Sequence, residues 1–266
     1  MSDATNYLEI NRKSWNNRTD AHYKSAFYDV DGFIQGKTSL NEIELAILGD
    51  LTGKSVLHLQ CHFGQDTLSL ARMGAQAVGV DLSDEAIARA NELAEKIGTA
   101  ATFICCDLYE LPQHLDQQFD IVFTTYGTIG WLPDLDKWGK IVAQFLKPGG
   151  RLLFVEFHPV IWMFDDNFEK INYDYFNTGP IVETENGTYA DKEAAIQQKY
   201  VMWNHGLNEV FASLLTNGLQ IKSFDEFDYS PYDCLSNLEQ QEVKKYRFKH
   251  IQHRIPMVYA IEAVKS

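Results

Sequence analysis

The sequence predicts an α/β domain built on a doubly wound, mostly parallel sheet. Three observations predict it. Short apolar runs alternate with stretches of helical spacing from Ser55 to Phe157. Two of those runs lead into an acid, Asp81 after the second and Asp107 after the third. Gly53, Gly74 and Gly98 stand where a helix must end or a strand begin.

In chain order, residues 1–37 are polar and aromatic, and they predict a helix over Tyr7–Trp15 followed by an irregular segment through Asp31-Gly32. Ser39 with Glu42 reads as a capping box ahead of Ile43, Ala46 and Ile47. Val56–Leu59 is the first strand, followed by a turn through Gln60 to Gly64 and a helix that Gly74 stops. Ala77–Val80 is the second strand. Ser83 caps the next helix, with Asp84 and Glu85 in its first turn, where the helix dipole favours acids. Thr102–Cys106 and Phe119–Thr125 read as strands three and four, then Leu135, Trp138, Ile141, Val142 and Phe145 mark a helix. Pro148-Gly149-Gly150 is a turn before a fifth strand, Arg151–Phe157. Helical spacing returns at Leu207–Leu215, and Leu219–Phe227 and Ile255–Ala263 read as two last strands, seven in all. The chain is thus one domain over 1–266, with 1–37 a cap segment and 159–200 an insertion over the active site. A connection that long carries function or a small structure of its own.

The net charge of −14 argues against a nucleic-acid partner, which requires a basic face. Lys244, Lys245, Arg247 and Lys249 read as a solvated helix face. No apolar run approaches the roughly 20 residues of a membrane helix, and the N-terminus has no apolar signal core. The four cysteines Cys61, Cys105, Cys106 and Cys234 form no CxxC pair, which fits a reducing compartment. The expectation is a cytoplasmic protein without membrane contact. Nothing in the sequence sets an oligomeric state.

Ligands of open α/β sheets bind outside the carboxyl ends of the strands. Asp81 is placed there to accept hydrogen bonds from both hydroxyls of a ribose, and Asp107 from an adenine amino group. Asp120, at the start of a strand, reads as structural. The segments VLHLQCHFG, GVDLS, CCDL, FDIVFTTYGTIGWL and LKPGG resemble the class I S-adenosylmethionine-dependent methyltransferases, in a form similar to a bacterial small-molecule-type subgroup. The resemblance runs from about Gly53 to Phe157. It implies a Rossmann-like methyltransferase fold whose last two strands form an antiparallel pair at the sheet edge. It also implies S-adenosyl-L-methionine as cofactor, S-adenosyl-L-homocysteine as product, and in-line methyl transfer to a small-molecule acceptor. The cofactor residues it implies are Gln60, Cys61, His62, Phe63, Gly64, Gln65, Asp81, Leu82, Cys106, Asp107, Leu108, Thr125 and Tyr126. Tyr28, Trp131, Glu156 and His158 fall at the acceptor pocket, with His158 a candidate general base.

The chain departs from the family pattern in its first turn. His58 stands where the family has an acid, and Gln60 and His62 replace the first two glycines. One reading has the side chain of Gln60, His62 or Gln65 contact the methionine carboxylate or amine; the other has them only shape the turn. His58, Cys61 and His62 are zinc-ligand types, but strand alternation separates them and no fourth ligand is near, so no metal is expected. The aromatic insertion reads either as a lid over a sulfonium or as a small satellite core. His205, before a helix, reads as a cap. Two other functions remain at this stage. A nicotinamide-dependent oxidoreductase is disfavoured because pyrophosphate needs a glycine-rich turn. A non-catalytic cofactor-binding module is motivated by the altered turn.

Overall fold

In a computed structural model, which describes residues 6–266, the alternation resolves into a three-layer domain. Residues 1–5 of the expected cap segment lie outside the described residues. Strands β1 (Ser55–Leu59), β2 (Gln76–Asp81), β3 (Thr102–Cys105), β4 (Phe119–Thr125) and β5 (Leu146–Phe157) are parallel to one another. Farther along come β6 (Ile181–Asn186), β7 (Gln197–Met202), β8 (Leu219–Phe227), β9 (Leu238–Glu242), β10 (Lys245–Phe248) and β11 (Val258–Lys265). The main sheet has the order β3-β2-β1-β4-β5-β11-β8, and β11 is antiparallel to both of its neighbours. All five residues of β1 are buried, as expected for a central parallel strand covered on both faces. Leu57 pairs with Val78 on one side and Val122 on the other, so the strand order reverses between β1 and β4 and opens a crevice above them.

The helices are α1 (Tyr7–Lys24), α2 (Val30–Ile34), α3 (Glu42–Leu48), α4 (Gln65–Arg72), α5 (Asp84–Ile97), α6 (Leu135–Phe145) and α7 (Leu207–Thr216). Trp138, Phe145, Leu152, Phe154 and Leu214 form the core between the sheet and α6 and α7. Val155, Phe157, Phe168 and Phe248 pack on the other face. Among the described residues no helix is long and apolar enough to cross a membrane.

Several expectations are corrected. The first helix runs to Lys24 rather than Trp15, and α2 replaces the irregular segment at Asp31-Gly32. The buried residues of α1 are all polar, Asn11, Ser14, Arg18, Thr19 and His22, so hydrophobic periodicity gave no sign of its length. The capping box before α3 is Asn41 with Glu44, not Ser39 with Glu42. The turn at Pro148-Gly149-Gly150 is a bulge inside β5. Phe119 pairs with Leu146 and Ile121 with Arg151, so residues 147–150 loop out. The basic cluster is a β-hairpin, β9–β10, rather than a helix face, and Arg247 is buried against Asp228 at 3.0 Å. His205 does not cap α7, whose N-cap is Gly206. It is buried instead, with Nε2 2.8 Å from the Leu132 carbonyl and Nδ1 3.0 Å from Glu209.

The 159–200 stretch folds into a two-stranded antiparallel sheet, β6–β7, that meets α1. The Asn11 side-chain amide clasps β7 as a strand edge would. Its Nδ2 donates to the Val201 carbonyl at 2.8 Å, and its Oδ1 accepts from the Val201 N–H at 2.9 Å.

Candidate active site

The crevice above β1 and β4 is the floor of a cavity of about 1210 Å³ that α1 and β6–β7 roof over. Its floor is shaped by backbone. Gln60, His62 and Gly64, the three alternating positions of the first turn, all have left-handed φ, at 55°, 51° and 79°. The turn thus keeps a glycine-type path with two side chains added. A left-handed residue other than glycine costs about 1–2 kcal/mol. At 60, part of this is offset by a hydrogen bond from Gln60 Nε2 to the Thr128 carbonyl at 2.9 Å. At 62, the backbone N–H donates to Asp81 Oδ2 at 2.7 Å. Gly64 is obligatory on a second count, because a Cβ there would lie 2.6 Å from the Phe103 ring.

Asp81 ends β2 facing this turn. Oδ2 takes the His62 N–H and Oδ1 the Ser83 N–H, the latter at 2.9 Å. A carboxylate offers about four acceptor positions, so two remain for a ligand diol. Burial pushes the Asp81 carboxyl up to about 6. Asp107, after β3, accepts the Tyr109 N–H on Oδ1 at 3.2 Å, and burial raises its carboxyl too. Leu82, Cys106 and Leu108 line the cavity beside these two acids and offer apolar contact to a planar base. Burial holds the Cys106 thiol up at about 12, so it is protonated.

The remaining predicted residues fall into three groups. Gln65 and Phe63 anchor the N-terminal segment, Gln65 Nε2 donating to the Tyr28 carbonyl at 3.0 Å and Phe63 packing on Tyr28 at 4.8 Å. His62 joins the same cluster, with Nε2 3.3 Å from His22 Nδ1 and its ring stacked on Tyr28 at 5.4 Å. Burial lowers His62 to about 3 and His22 to about 2, so both rings are neutral. Cys61 is buried under the turn, its thiol raised by burial. His58 bonds Thr67 Oγ1 at 2.8 Å and is neutral as well. Among the described residues no three His, Cys, Asp or Glu side chains converge as a metal site.

At the end of β4, Thr125 Oγ1 donates to Asp66 Oδ2 at 3.3 Å, and Tyr126 turns the chain with φ 43°. Glu156 lies beneath the next loop. Its oxygens accept from the N–H groups of Gly127, Thr128 (2.7 Å), Ile129 (3.2 Å) and Phe157 (2.7 Å). That carboxylate holds the loop that carries Trp131. His158 does not reach the cavity, which corrects its expected role as a base. Its Nδ1 accepts from the Val160 N–H at 3.2 Å, Nε2 faces Glu226 at 3.0 Å, and the ring packs edge-on against Tyr259.

Sequence reasoning missed the charged inner face of the roof. Arg18 is 3% exposed, ion-paired with Glu185 at 2.8 Å and enclosed by the rings of Trp15, Trp131 and Tyr200 at 5.3–5.6 Å. The alternation Ile181, Glu183, Glu185 along β6 was the available signal, since it turns glutamates inward.

The donor set fits an adenosine-type ligand. A half-satisfied carboxylate stands at a ribose position, a second acid follows β3, apolar side chains lie between them, and the buried Gln60 Oε1 has no hydrogen-bond partner. Residues 56–150 match a family model described as a methyltransferase domain. The chain thus carries a methyltransferase domain over these residues and shares its fold with S-adenosylmethionine-dependent methyltransferases. A ubiquinone biosynthesis O-methyltransferase from Idiomarina loihiensis is 30% identical over 134 residues, 49% of this chain and 55% of that protein. The chain spans about half the length of the curated relatives it matches. An S-adenosylmethionine-dependent methyltransferase from Mesorhizobium loti superposes with a TM-score of 0.59 at 21% identity, over 87% of this chain and all of that chain (100%). Magnesium protoporphyrin IX methyltransferase from Synechocystis, solved with bound S-adenosylhomocysteine, gives 0.55 at 17% identity over 97% and 99%.

Proposed function

We propose that this protein is a methyltransferase that moves a methyl group from S-adenosyl-L-methionine to a small molecule held in the same cavity. The observation that carries the reading is Asp81, a half-buried carboxylate with two acceptor positions left for a diol, set against the left-handed turn at 60–64. In this reading Asp81 takes the ribose and Asp107 the adenine amino group, with Leu82, Cys106 and Leu108 around the base. The turn, with Thr125 and Tyr126, surrounds the methionine end. The cofactor supplies a methyl group already activated on a sulfonium, so the protein's contribution is to position and to exclude water. Glu156 acts as a positioning residue through the 127–129 loop, and Tyr28 and Trp131 wall the acceptor space. A single ligand pocket is about 300–1,000 Å³, so the 1210 Å³ here supports two small molecules side by side. The test is calorimetric titration with S-adenosylhomocysteine: wild type binds and Asp81→Asn binds far more weakly. No binding by the wild type overturns the reading.

A further inference from the structure

The roof carries a buried cation that the roles above do not use. Four lysine and arginine side chains line the cavity among the described residues, and Lys37, Lys192 and Lys244 are exposed. Arg18 alone of the four is buried. A guanidinium offers five N–H donors in a fixed fork. On Arg18, Nη1 donates to Ser14 Oγ and Nη2 to Glu185 Oε2 at 2.8 Å, while Nε is buried with no hydrogen-bond partner. Glu185 is a divided partner. The same Oε2 accepts from Gln198 Nε2 at 3.3 Å, and its side chain is 35% exposed. Glu183, the next inward acid on β6, is engaged by the hydroxyls of Tyr173 and Tyr200 instead. The guanidinium is therefore short of an acceptor on its Nε side. Its surroundings are flat rings. Trp15, Trp131 and Tyr200 all line the cavity around it, and Trp131 meets Trp15 at 5.1 Å and Tyr200 at 5.7 Å. The Arg18 charge also reaches the floor turn, where after burial it is the cause that lowers His62.

We propose that Arg18 selects the methyl acceptor by binding a carboxylate carried on an aromatic ring that packs among Trp15, Trp131 and Tyr200. The planar fork of arginine matches a carboxylate, and the rings offer a planar ligand edge and face contacts. A buried cation with an unused donor gains most from such a partner. Elsewhere the cavity is lined by acids such as Asp107 and Glu156, so an incoming carboxylate meets a buried lysine or arginine only at Arg18 among the described residues. The site thus selects an aryl acid over an alcohol or amine of similar shape. The α-carboxylate of the cofactor has the same chemistry. The reading above puts the cofactor on the floor, whereas Trp131, a wall of the acceptor space, stands 5.6 Å from the guanidinium, so the acceptor is the source assigned. The inference rests on the methyl-transfer reading for what fills the rest of the cavity.

The experiment loads the wild-type protein with S-adenosylhomocysteine and titrates it calorimetrically with benzoate, benzyl alcohol and benzylamine. Benzoate binds about tenfold or more tighter than the other two. Arg18→Lys, which keeps the charge and a partner for Glu185 but not the fork, lowers benzoate affinity about three- to tenfold. Arg18→Gln removes the preference. Arg18→Gln combined with Glu185→Gln leaves no unpaired carboxylate in the roof and so guards against a folding defect in the single variant. It too shows no benzoate preference, while ligand-free protein keeps its affinity for 5′-methylthioadenosine, which lacks the amino-acid end, within about threefold of wild type. A wild type that binds benzoate no tighter than the other two probes overturns the proposal, as does an Arg18→Lys or double variant with the benzoate preference intact. An Arg18→Lys variant that loses S-adenosylhomocysteine affinity about tenfold with 5′-methylthioadenosine unchanged also overturns it, because the cofactor carboxylate is then the source. Failure of the wild type to bind S-adenosylhomocysteine at all counts against the methyl-transfer reading instead.

Discussion

The floor and the roof of the cavity are built on opposite principles. The floor is main chain: five parallel strands, a turn of three left-handed residues, and N–H groups aimed at Asp81 and Glu156. The roof is side chain: α1 and β6 turn polar residues inward and meet through Asn11–Val201, Arg18–Glu185 and the Tyr28–Tyr189 hydroxyl contact of 2.5 Å. A floor made of backbone tolerates changed residue types so long as the path is kept, which is why Gln60 and His62 stand where glycines would. A roof made of side-chain pairs has no such tolerance.

Four substitutions or conditions test that contrast. Asp81→Asn removes the floor's charged acceptor for the diol. Hydrogen bonds to a charged group are worth about 1.5–3 kcal/mol each, so S-adenosylhomocysteine affinity falls by about a hundredfold or more by calorimetry. Asn11→Ala breaks the roof and leaves both Val201 backbone groups unpaired. It lowers stability in urea by about 1–3 kcal/mol, while 5′-methylthioadenosine affinity, read on the floor alone, changes less than about threefold. A larger loss of nucleoside binding would show that the floor depends on the roof.

Acidity separates the two differently. Asp81 sits at about 6 because of burial and accepts from a diol only when ionised, so S-adenosylhomocysteine affinity falls about tenfold between pH 7 and pH 5. The sign for folding is the reverse. A carboxyl raised in the folded state contributes its stability fully below the unfolded value near 4 and loses it as pH rises through about 6. Ligand-free wild type therefore weakens relative to Asp81→Asn across that window, by at most about 3 kcal/mol in urea titrations. The smallest effect belongs to Gln60. Glycine there relieves about 1–2 kcal/mol of backbone strain and loses one hydrogen bond of about 1 kcal/mol, for a net change within about 1 kcal/mol. Alanine keeps the strain, loses the bond and is the less stable of the two variants in the same assay.

The same contrast explains what the sequence disclosed. The floor was legible because period-2 apolar runs, the acids at strand ends and glycine stops all report backbone. β4 was read to the residue, Phe119–Thr125. The roof was not, because α1 inverts the usual pattern: its inward stripe 11, 14, 18, 19, 22 has helical spacing but polar chemistry. Hydrophobic spacing cannot register a face that is buried against a polar cavity. The β9–β10 hairpin was hidden for a related reason, since Lys244 turns with φ 55° in a run of charges that resembles a solvated helix. His158 shows a third limit. Its place after β5 was correct, but only the packing of Tyr259 and Glu226 decides which way the ring turns.

The Asn11 clasp also sets a clock. A side-chain amide that completes a strand edge can let go without disturbing the seven-stranded sheet, because β7 belongs to a separate two-stranded sheet. Local openings of this kind lie far below global unfolding in free energy. The Val201 amide should accordingly exchange with deuterium orders of magnitude faster than that of Val122 in the sheet. A roof that opens on its own time scale is thereby kinetically separate from the sheet that carries the floor.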